Sequence, residues 1–432
     1  MALDQSLKWL AVTIHLESPL LITARQVGFV WESETFIPGG VLRGAVAEVA
    51  ARHGQDLKLL FDRPNAPRFG HAYAGLEPAV GILPHTARTC KRYRGFRRDD
   101  QDEDRHGVWD TLLLQVFGQV KAEARCPTCD RGTVSYGGEP YVSVGSSGAW
   151  RYASPRVIMR RIGRTAVARE RAAVADRLLY VLEVIGEQME RDELDAYGRP
   201  LEAATQFHSC AWADSSDGWP WDDWLREVTH LGGVRSRGLG WVRIEVEEGS
   251  ARTPTDGEVV RAGMQLAQLT EDRRVADLGS PPGEMNVLDR ILAFNRAAYA
   301  VKCLGKEWRN YWYFTLNMQS DAILGDARGP RHCPQPADLE IPASVEWVWS
   351  GAGYSQAGGW SAAWGLPKRV TPSVTAGSTF VYRVPHGDED LAQQVLKRCV
   401  ALEQEGIGQR REEGLGWVQI CTPFHLETEV QK

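Results

Sequence analysis

The sequence predicts an α+β protein built from two domains, on the basis of three observations. The chain has 432 residues, which exceeds one ordinary core and favours two. A strand-like segment near its start leads through a Pro-Gly-Gly turn into a helix-like segment. The phrase Gly-Leu-Gly-Trp-Val occurs twice, at 238–242 and 414–418. A repeat at so long an interval suits a duplicated domain better than a solenoid.

Composition excludes several classes of protein. Hydrophobic residues make up 43% and charged residues 25% of the chain, which is typical of a globular protein and excludes a mainly disordered one. No apolar run reaches the roughly 18 residues of a membrane helix, and Met1–Leu10 lacks the pattern of a secretory signal. We therefore expect a cytoplasmic protein whose eight cysteines form no disulfide framework. The net charge of −6 argues against a surface coated in nucleic-acid-binding groups, although it leaves local basic patches open.

The predicted elements follow in chain order. Leu7–Leu16 is rich in β-branched and apolar residues and predicts a strand. After the break at 38–40, small and apolar residues over Val41–Ala51 predict a helix. Leu178–Gly186 predicts a further strand, and the Pro-, Gly- and charge-rich stretch 248–284 predicts a linker or peripheral segment. The predicted domains are residues 1–247 and residues 285–432.

Both glycine phrases follow basic turns, with Arg235 and Arg237 before the first and Arg410 and Arg411 before the second. Glycine lets an anion approach the main chain closely, and successive amides can form an anion-binding concavity. Arginine adds charge-assisted bonds to phosphate oxygens. Neither phrase is a nucleotide P-loop or a Rossmann fingerprint, because no Gly-Lys-Ser/Thr follows and the turn leads into a strand. A hairpin without a ligand is the alternative, but repetition of the basic flanks favours phosphate binding.

Several segments resemble the RAMP superfamily of CRISPR effector proteins. They are the Ile-Pro-Gly-Gly-Val-Leu-Arg-Gly-Ala run at 37–45, which precedes a helix, and the two Gly-Leu-Gly-Trp-Val phrases after basic turns. Four more segments are similar to the type III-D family usually called Csx-ten: His106–Asp110, Arg164–Tyr180, Gly365–Lys368 and Ala376–Ser378. The resemblance implies two ferredoxin-like (RRM-like) domains with glycine-rich loops.

The resemblance also implies a function in antiviral defence. A Cas-five-like subunit of this kind binds the 5′ handle of a CRISPR RNA (crRNA) at the foot of an RNA-targeting type III effector complex. The implied partners are the crRNA, a large polymerase-like subunit and backbone RAMP subunits.

The resemblance places an RNA path along the glycine phrases and the Pro-Gly-Gly turn. The implied RNA-binding residues are Gly39, Gly40, Arg43, Arg235, Arg237, Gly238, Arg410 and Arg411. Local charge density adds Arg160, Arg161 and Arg164, and the turns themselves add Ser236, Gly240, Gly414 and Gly416. Trp241 and Trp417 stand where the family loops often carry Arg, so these two positions depart from the family pattern.

Cys126 and Cys129 have the C-x₂-C spacing of a zinc knuckle, in which two thiolates reach one tetrahedral ion. Cys90 and His106, within the loop-rich insertion 88–138, would complete a Cys₃His set, and His85 is another candidate for the fourth ligand. The sequence therefore predicts a structural zinc site. The alternatives are an unmetallated pair and a redox dithiol, although a redox pair would be expected to open a helix.

The sequence contains neither a Ser-His-Asp constellation nor a paired-carboxylate signature, and we therefore expect a non-catalytic subunit. Asp110 is the nearest candidate for a target-cleaving aspartate, and its place in the insertion argues against that role. The alternative is an endoribonuclease of the same superfamily that processes CRISPR RNA or cleaves target RNA. His15 or His53 would then be the candidate base.

Overall fold

The structure is a computed structural model that describes residues 7–63, 66–98, 102–118, 125–146, 149–168, 173–194, 199–214, 216–249, 254–267, 285–301, 305–326, 329–361 and 365–427. The strands within these ranges are β1 (Leu7–Leu16), β2 (Thr23–Val27), β3 (Val30–Ser33), β4 (Arg68–Phe69), β5 (Tyr73–Ala74), β6 (Ala79–Ile82), β7 (Ala87–Cys90), β8 (Val108–Asp110), β9 (Thr133–Ser135), β10 (Pro140–Ser146), β11 (Ala149–Ala153), β12 (Arg156–Ala168), β13 (Ala173–Leu194), β14 (Pro200–Ala204), β15 (Gln206–Asp214), β16 (Val242–Glu248), β17 (Tyr311–Met318), β18 (Gly325–Asp326), β19 (Gly329–Pro330), β20 (Glu346–Gly351), β21 (Tyr354–Ala357), β22 (Trp360–Ser361), β23 (Leu366–Pro367), β24 (Thr371–Val374), β25 (Thr379–Pro385) and β26 (Val418–Ile420). The α-helices are α1 (Gly39–Arg52), α2 (Leu57–Phe61), α3 (Leu112–Val116), α4 (Trp221–Arg226), α5 (Asp256–Ala267), α6 (Val287–Ala300) and α7 (Glu389–Glu405). The chain is therefore a mixed α/β protein with several sheets.

The first half of the chain is organised around a sheet of order β16-β1-β15-β4, in which all neighbours are antiparallel and β5 also pairs with β15. Leu10, Val12 and Ile14 are at most 2% exposed and alternate with more exposed residues, the period of a strand with one buried face. Helices α1 and α4 cover that face. The predicted strand Leu7–Leu16 is confirmed, and the helix predicted from Val41 begins two residues earlier, at Gly39.

The second half repeats this strand order. Its sheet runs β26-β17-β25-β20, again with antiparallel neighbours. Numbered by chain position within each half, both sheets have the order 4-1-3-2. Strand β17 is buried along almost its whole length, so both of its faces are covered. Helices α6 and α7 pack into the same core.

The segment predicted as a linker or peripheral stretch contains helix α5. Its Val259, Ala262 and Leu266 are at most 4% exposed and belong to the core of the second half. The apolar spacing of three and four residues explains this burial, because it places the three side chains on one helix face. Residues 268–284 lie outside the described residues, and the predicted domain limits remain a prediction.

The insertion in the first half packs against the second half. Its strands form a small sheet of order β8-β7-β9. Leu83, Phe96 and Val108 pack with Phe424, a residue close to the C-terminus. Helix α3 enters the core of the second half, where the ring of Phe117 lies 4.8 Å from that of Tyr313. The two halves are thus joined by buried contacts as well as by the chain.

A long antiparallel hairpin, β12–β13, forms a further sheet with β2, β3 and β14. The predicted strand at 178–186 is confirmed as the middle of β13. Among the described residues, no helix combines the length and the apolar character needed to cross a bilayer.

Candidate functional site: two glycine-rich loops and a cysteine–histidine cluster

The two Gly-Leu-Gly-Trp-Val phrases end loops with the same backbone conformation. Each loop contains one 3₁₀ turn, Arg235–Arg237 or Arg411–Glu413, flanked on both sides by left-handed residues. The residue before the turn has φ of 58° at Val234 and 59° at Arg410. Non-glycine residues rarely adopt such a φ, so two occurrences at equivalent positions indicate one loop design used twice.

Equivalent hydrogen bonds hold both loops. The Trp241 amide donates to Ser18 Oγ at 2.8 Å, and the Trp417 amide donates to Ser320 Oγ at 2.9 Å. Gly240 and Gly416 each accept a bond from the start of their own loop at 2.8 Å. A Cβ at either glycine would lie 2.0 Å or less from a carbonyl oxygen, which requires glycine there. Each loop is therefore fixed beside the end of the first strand of its own half.

The first loop is open to solvent. Its four consecutive residues Arg235–Gly238 are exposed, and a Cβ on Gly238 would meet nothing within 4 Å. Arg235 forms an ion pair of 2.7 Å with Glu48, both side chains being about half exposed. Such pairs contribute little to stability, so this guanidinium can exchange its partner for a phosphate. Trp241 is 47% exposed at the end of the loop.

The second loop is docked onto the first half. A Cβ on Gly414 would lie 2.7 Å from both Phe69 O and His71 Nδ1. Glu413, at the position of Arg237 in the first loop, accepts hydrogen bonds from Arg410 at 2.6 Å and from Lys368 at 2.6 Å. Burial alone would raise the pKa of Glu413, but these two cations outweigh it and hold the pKa below its ordinary value. Arg410 is thus neutralised by a carboxylate of the chain itself, and Arg411 donates to the backbone oxygen of Glu405 at 3.2 Å.

The Pro-Gly-Gly turn at the start of α1 meets this second loop, whereas Glu48, further along the helix, pairs with Arg235 of the first. Gly39 is buried, and its amide donates to His71 Nδ1 at 3.0 Å. A Cβ on Gly40 would lie 3.5 Å from Glu413 Oε2. Burial lowers the pKa of His71 to about 4, so the ring is neutral and Nδ1 is an acceptor. The first amide of the helix is therefore already used within the protein.

The remaining predicted basic residues are placed apart. The Arg43 guanidinium stacks over the Phe61 ring at 4.9 Å. Arg160 and Arg161 form ion pairs with Glu187 at 2.8 Å and with Glu183 at 2.9 Å along the β12–β13 hairpin. Arg164 is the cross-strand partner of Tyr180, whose hydroxyl and ring contact Arg237. Arg164 and Tyr180 are therefore the residues of the β12–β13 hairpin that lie beside the open loop.

The four predicted metal ligands converge. The ligand atoms of Cys90, His106, Cys126 and Cys129 all lie within 4.8 Å of one another, and the first three residues are buried. The Cys90 and Cys129 sulfurs are 3.7 Å apart, and His106 Nδ1 lies 3.3 Å from Cys126 Sγ. Four ligands around an ion with Zn–S bonds of about 2.3 Å have sulfurs about 3.8 Å apart. The cluster can therefore hold a tetrahedral metal ion.

The surroundings of the cluster suit metal-binding side chains. Burial lowers the pKa of His106, with Arg97 and Arg131 adding to the effect, and favours the neutral ring that binds metals. Burial acts to raise the pKa of the Cys90 thiol, but the amides of Tyr93 and Arg92 donate to its sulfur and leave the pKa lowered. The Tyr93 ring stacks on His106 at 4.3 Å. The stacked Tyr93 ring thus fixes the orientation of the His106 imidazole.

Sequence reasoning missed Glu413, Lys368 and His71. One signal was available for Glu413, because it replaces the Arg that the first phrase carries at the same position. Ser18 and Ser320 were also missed, although both follow the end of the first strand of their half. His71 carries no local signal, since its partner Gly39 lies 32 residues away.

Comparison with known proteins gives a consistent set of structural neighbours. No protein-family model and no curated protein sequence matches the chain. A chain of a type III-B Cmr-beta complex bound to cognate target RNA aligns with it at 8% identity and a TM-score of 0.39, covering 86% of both chains. A chain of a type IV-B CRISPR complex aligns at 15% identity and a TM-score of 0.23, covering 57% of this chain and 95% of the other. A Cas6 product complex aligns at 12% identity and a TM-score of 0.27, covering 51% and 78%.

Proposed function

We propose that the chain is a CRISPR-associated RAMP protein of the type III-D kind and a crRNA-binding subunit of an RNA-targeting effector complex, where it holds the 5′ handle. The observation that carries this proposal is the open first loop. It presents Arg235, Ser236, Arg237 and Gly238 to solvent on a rigid backbone, and exposed arginines on a glycine turn are suited to phosphate oxygens. Trp241 lies beside them with the His230 ring packed against it at 4.0 Å, and the 47% of its surface that stays exposed offers a place for a base to stack.

The fold supports this proposal. The order 4-1-3-2 with antiparallel neighbours in both halves is the strand arrangement of a βαββαβ, ferredoxin-like unit. In the first half, α1 follows the first strand and α4 follows the third. In the second half, α7 follows the third strand, and a short 3₁₀ turn at Pro336–Leu339 stands where the first helix would be. We infer two ferredoxin-like domains, the second with a reduced first crossover.

The two loops have different roles in this proposal. The first contacts RNA, whereas the second joins the halves, because its Glu413 and Gly414 pack against Gly39, Gly40 and His71 of the first half. Arg410 and Lys368 hold the Glu413 side chain in place from within the second half. Arg410, Arg411, Gly414, Gly39 and Gly40 then act in the interface between the halves. RNA binding is thus proposed for Arg235, Ser236, Arg237 and Gly238, together with Arg164 beside them.

We also propose that the subunit is non-catalytic. Asp110 is 1% exposed, and its carboxylate binds the His425 ring and accepts a bond from the Thr111 amide at 2.8 Å. A buried carboxylate held in this way cannot reach a phosphodiester. His53 is held in an exposed pair with Glu227 at 2.8 Å.

The proposed function is tested by expressing the tagged protein with a CRISPR array and the genes of its complex, then sequencing the RNA that co-purifies. We expect crRNAs that share one 5′ end. Arg235→Ala with Arg237→Ala should remove most of this RNA. The control pair Arg331→Ala with Lys397→Ala, two partly exposed cations of the second half that pair with acids, should retain it. Recovery of no RNA by intact wild-type protein would overturn the proposal.

We propose that the metal of the Cys₃His cluster is zinc. Three sulfurs and one imidazole nitrogen are a ligand set that zinc binds in closed structural sites. Metal analysis of protein purified without chelator should find about one zinc per chain. Cys126→Ser with Cys129→Ser should lose it, and the control Cys333→Ser, at a free cysteine outside the cluster, should retain it. A metal-free wild-type protein would contradict the assignment.

A further inference from the structure

A strongly basic surface surrounds the cysteine–histidine cluster. Residues 88–98 contain six basic residues and no acid. Lys91, Arg92 and Arg94 are exposed on the turn that carries Cys90, and Arg131 is exposed on the turn that carries Cys126 and Cys129. We call these four side chains the basic rim. The exposed acids Glu103 and Asp104 belong to the loop between the two turns, and the second turn itself carries one exposed acid, Asp130.

Among the residues that the structure describes, no acid neutralises the cations of the basic rim. In the portion of the chain that the structure covers, none of the four forms an ion pair, and Arg94 makes only a 3.3 Å bond to a backbone oxygen. The nearby acids are occupied elsewhere. Asp130 pairs with Arg125 at 2.8 Å, and the Asp102 side chain is 4% exposed and accepts the Arg98 amide. The second glycine loop shows the contrast, since there Glu413 neutralises the local cations.

The two turns are held together, so the basic rim is one surface. The Lys91 amide donates to Gly132 O at 3.0 Å, and β7 pairs with β9 up to Cys90 and Thr133. The Arg92 guanidinium lies 5.2 Å from the centre of the Tyr93 ring, which stacks on the ligand His106. The charged groups therefore stand on the rigid shell of the candidate metal centre, which reduces the entropy that a ligand must remove.

We propose that the basic rim is a second RNA-binding site, which contacts the phosphate backbone of single-stranded RNA. This inference rests on the proposed function, since it takes RNA as the ligand, but it concerns a surface separate from the first glycine loop. Unpaired lysine and arginine side chains on two adjacent turns match successive phosphates. One face of the Tyr93 ring is covered by His106, so the site reads the backbone and is independent of base sequence.

The test measures binding of fluorescein-labelled, unstructured single-stranded RNA to full-length protein by fluorescence anisotropy over a range of salt concentrations. The rim variant combines Lys91→Ala, Arg92→Ala and Arg131→Ala. A control variant with the same loss of charge combines Arg226→Ala, Arg331→Ala and Lys397→Ala, whose cations pair with acids elsewhere. Zinc content and melting temperature of each variant report whether the turns keep their structure.

We expect the rim variant to bind RNA roughly tenfold more weakly, with a salt dependence shallower by about two, since each lost contact to a single strand removes about 0.7 from the slope. The control variant should match the wild type. A rim variant that binds as the control does would overturn the inference, and so would one that binds RNA normally but loses a protein partner of the complex. If wild-type protein binds no RNA, the proposed function itself fails. Weak binding by the Arg235/Arg237 variant beside normal binding by the rim variant would overturn only the second site.

Discussion

His71 shows how much one partly buried side chain can contribute where the two halves meet. Its ring accepts the Gly39 amide at 3.0 Å and lies against the second glycine loop, close to Gly414. The arrangement requires an unprotonated Nδ1. Burial supplies this by lowering the pKa of His71 to about 4.

The pKa of His71 predicts a loss of stability on acidification. The unfolded chain binds the proton below about pH 6.5, whereas the native ring binds it only below about pH 4. Between these values the unfolded state holds more protons, so lowering the pH favours unfolding, by up to about 3 kcal/mol. His71→Asn keeps an acceptor but cannot titrate. On lowering the pH from 7 to 5, the melting temperature should therefore fall less in the variant than in the wild type. Equal falls would show that His71 is not responsible for the loss of stability in acid.

The cluster of four candidate metal ligands was predictable from sequence, and the partners of the glycine turns were not. The C-x₂-C spacing places Cys126 and Cys129 on one turn, and the only other cysteine and histidine in the sequence of the insertion are Cys90 and His106. Glu413 and Lys368 are 45 residues apart. Their ion pair depends on how the segment after β23 packs against the second glycine loop. Local pattern identifies residues that act within one turn, whereas contacts between distant segments follow from packing.

At the scale of elements, the N-terminus of α1 provides a matched pair of glycines. A Cβ on Gly39 would lie 1.9 Å from Phe69 O and 2.8 Å from Glu413 O, whereas a Cβ on Gly44 of the same helix would meet nothing within 4 Å. We expect Gly39→Ala to destabilise the protein by about 1–3 kcal/mol through overpacking. Gly44→Ala should stabilise it by about 0.5–1 kcal/mol, because alanine is the better helix former. Thermal unfolding of the two variants checks both signs, and a harmless Gly39→Ala would refute the close docking.

The docked second loop predicts an effect of its carboxylate. Glu413→Gln leaves Arg410 and Lys368 without a negative partner in an interface where the Glu413 side chain is 12% exposed. Removing one member of a buried pair costs about 3–5 kcal/mol, and the partial exposure of both cations reduces this to about 1–3 kcal/mol. The neighbouring Glu412→Gln is the control and should have little effect. Chemical denaturation compares them, and equal midpoints would argue against the ion-pair bridge.

At the scale of the whole molecule, the repeated loop was visible in the sequence and the interlocking of the halves was not. The repeated Gly-Leu-Gly-Trp-Val phrase predicted two related units, and the equivalent hydrogen bonds to Ser18 and Ser320 agree with it. The charged composition of 248–284 concealed a helix that packs in the second core. The insertion likewise showed no sign that α3 would join that core, because an apolar face does not reveal which surface will cover it.

This interlocking predicts that the halves do not fold separately. Residues 1–247 expressed alone would expose Leu112, Leu113 and Phe117, all at most 3% exposed in the whole chain, and should aggregate. Co-expression of 1–247 with 248–432 should yield a soluble complex that purifies through a tag on either part. A soluble, monomeric 1–247 fragment with a cooperative melting transition would contradict this prediction.

The buried pair of Asp110 and His425 has a consequence for folding during synthesis on the ribosome. The two residues are separated by 315 positions, so at 5–20 residues per second the ribosome needs roughly 15–60 s to deliver the second after the first. Throughout that interval the Asp110 carboxylate and the apolar face of α3 lack their partners. The insertion is therefore synthesised early but completes its packing late. While the chain is being synthesised, it is a segment that needs protection by a chaperone.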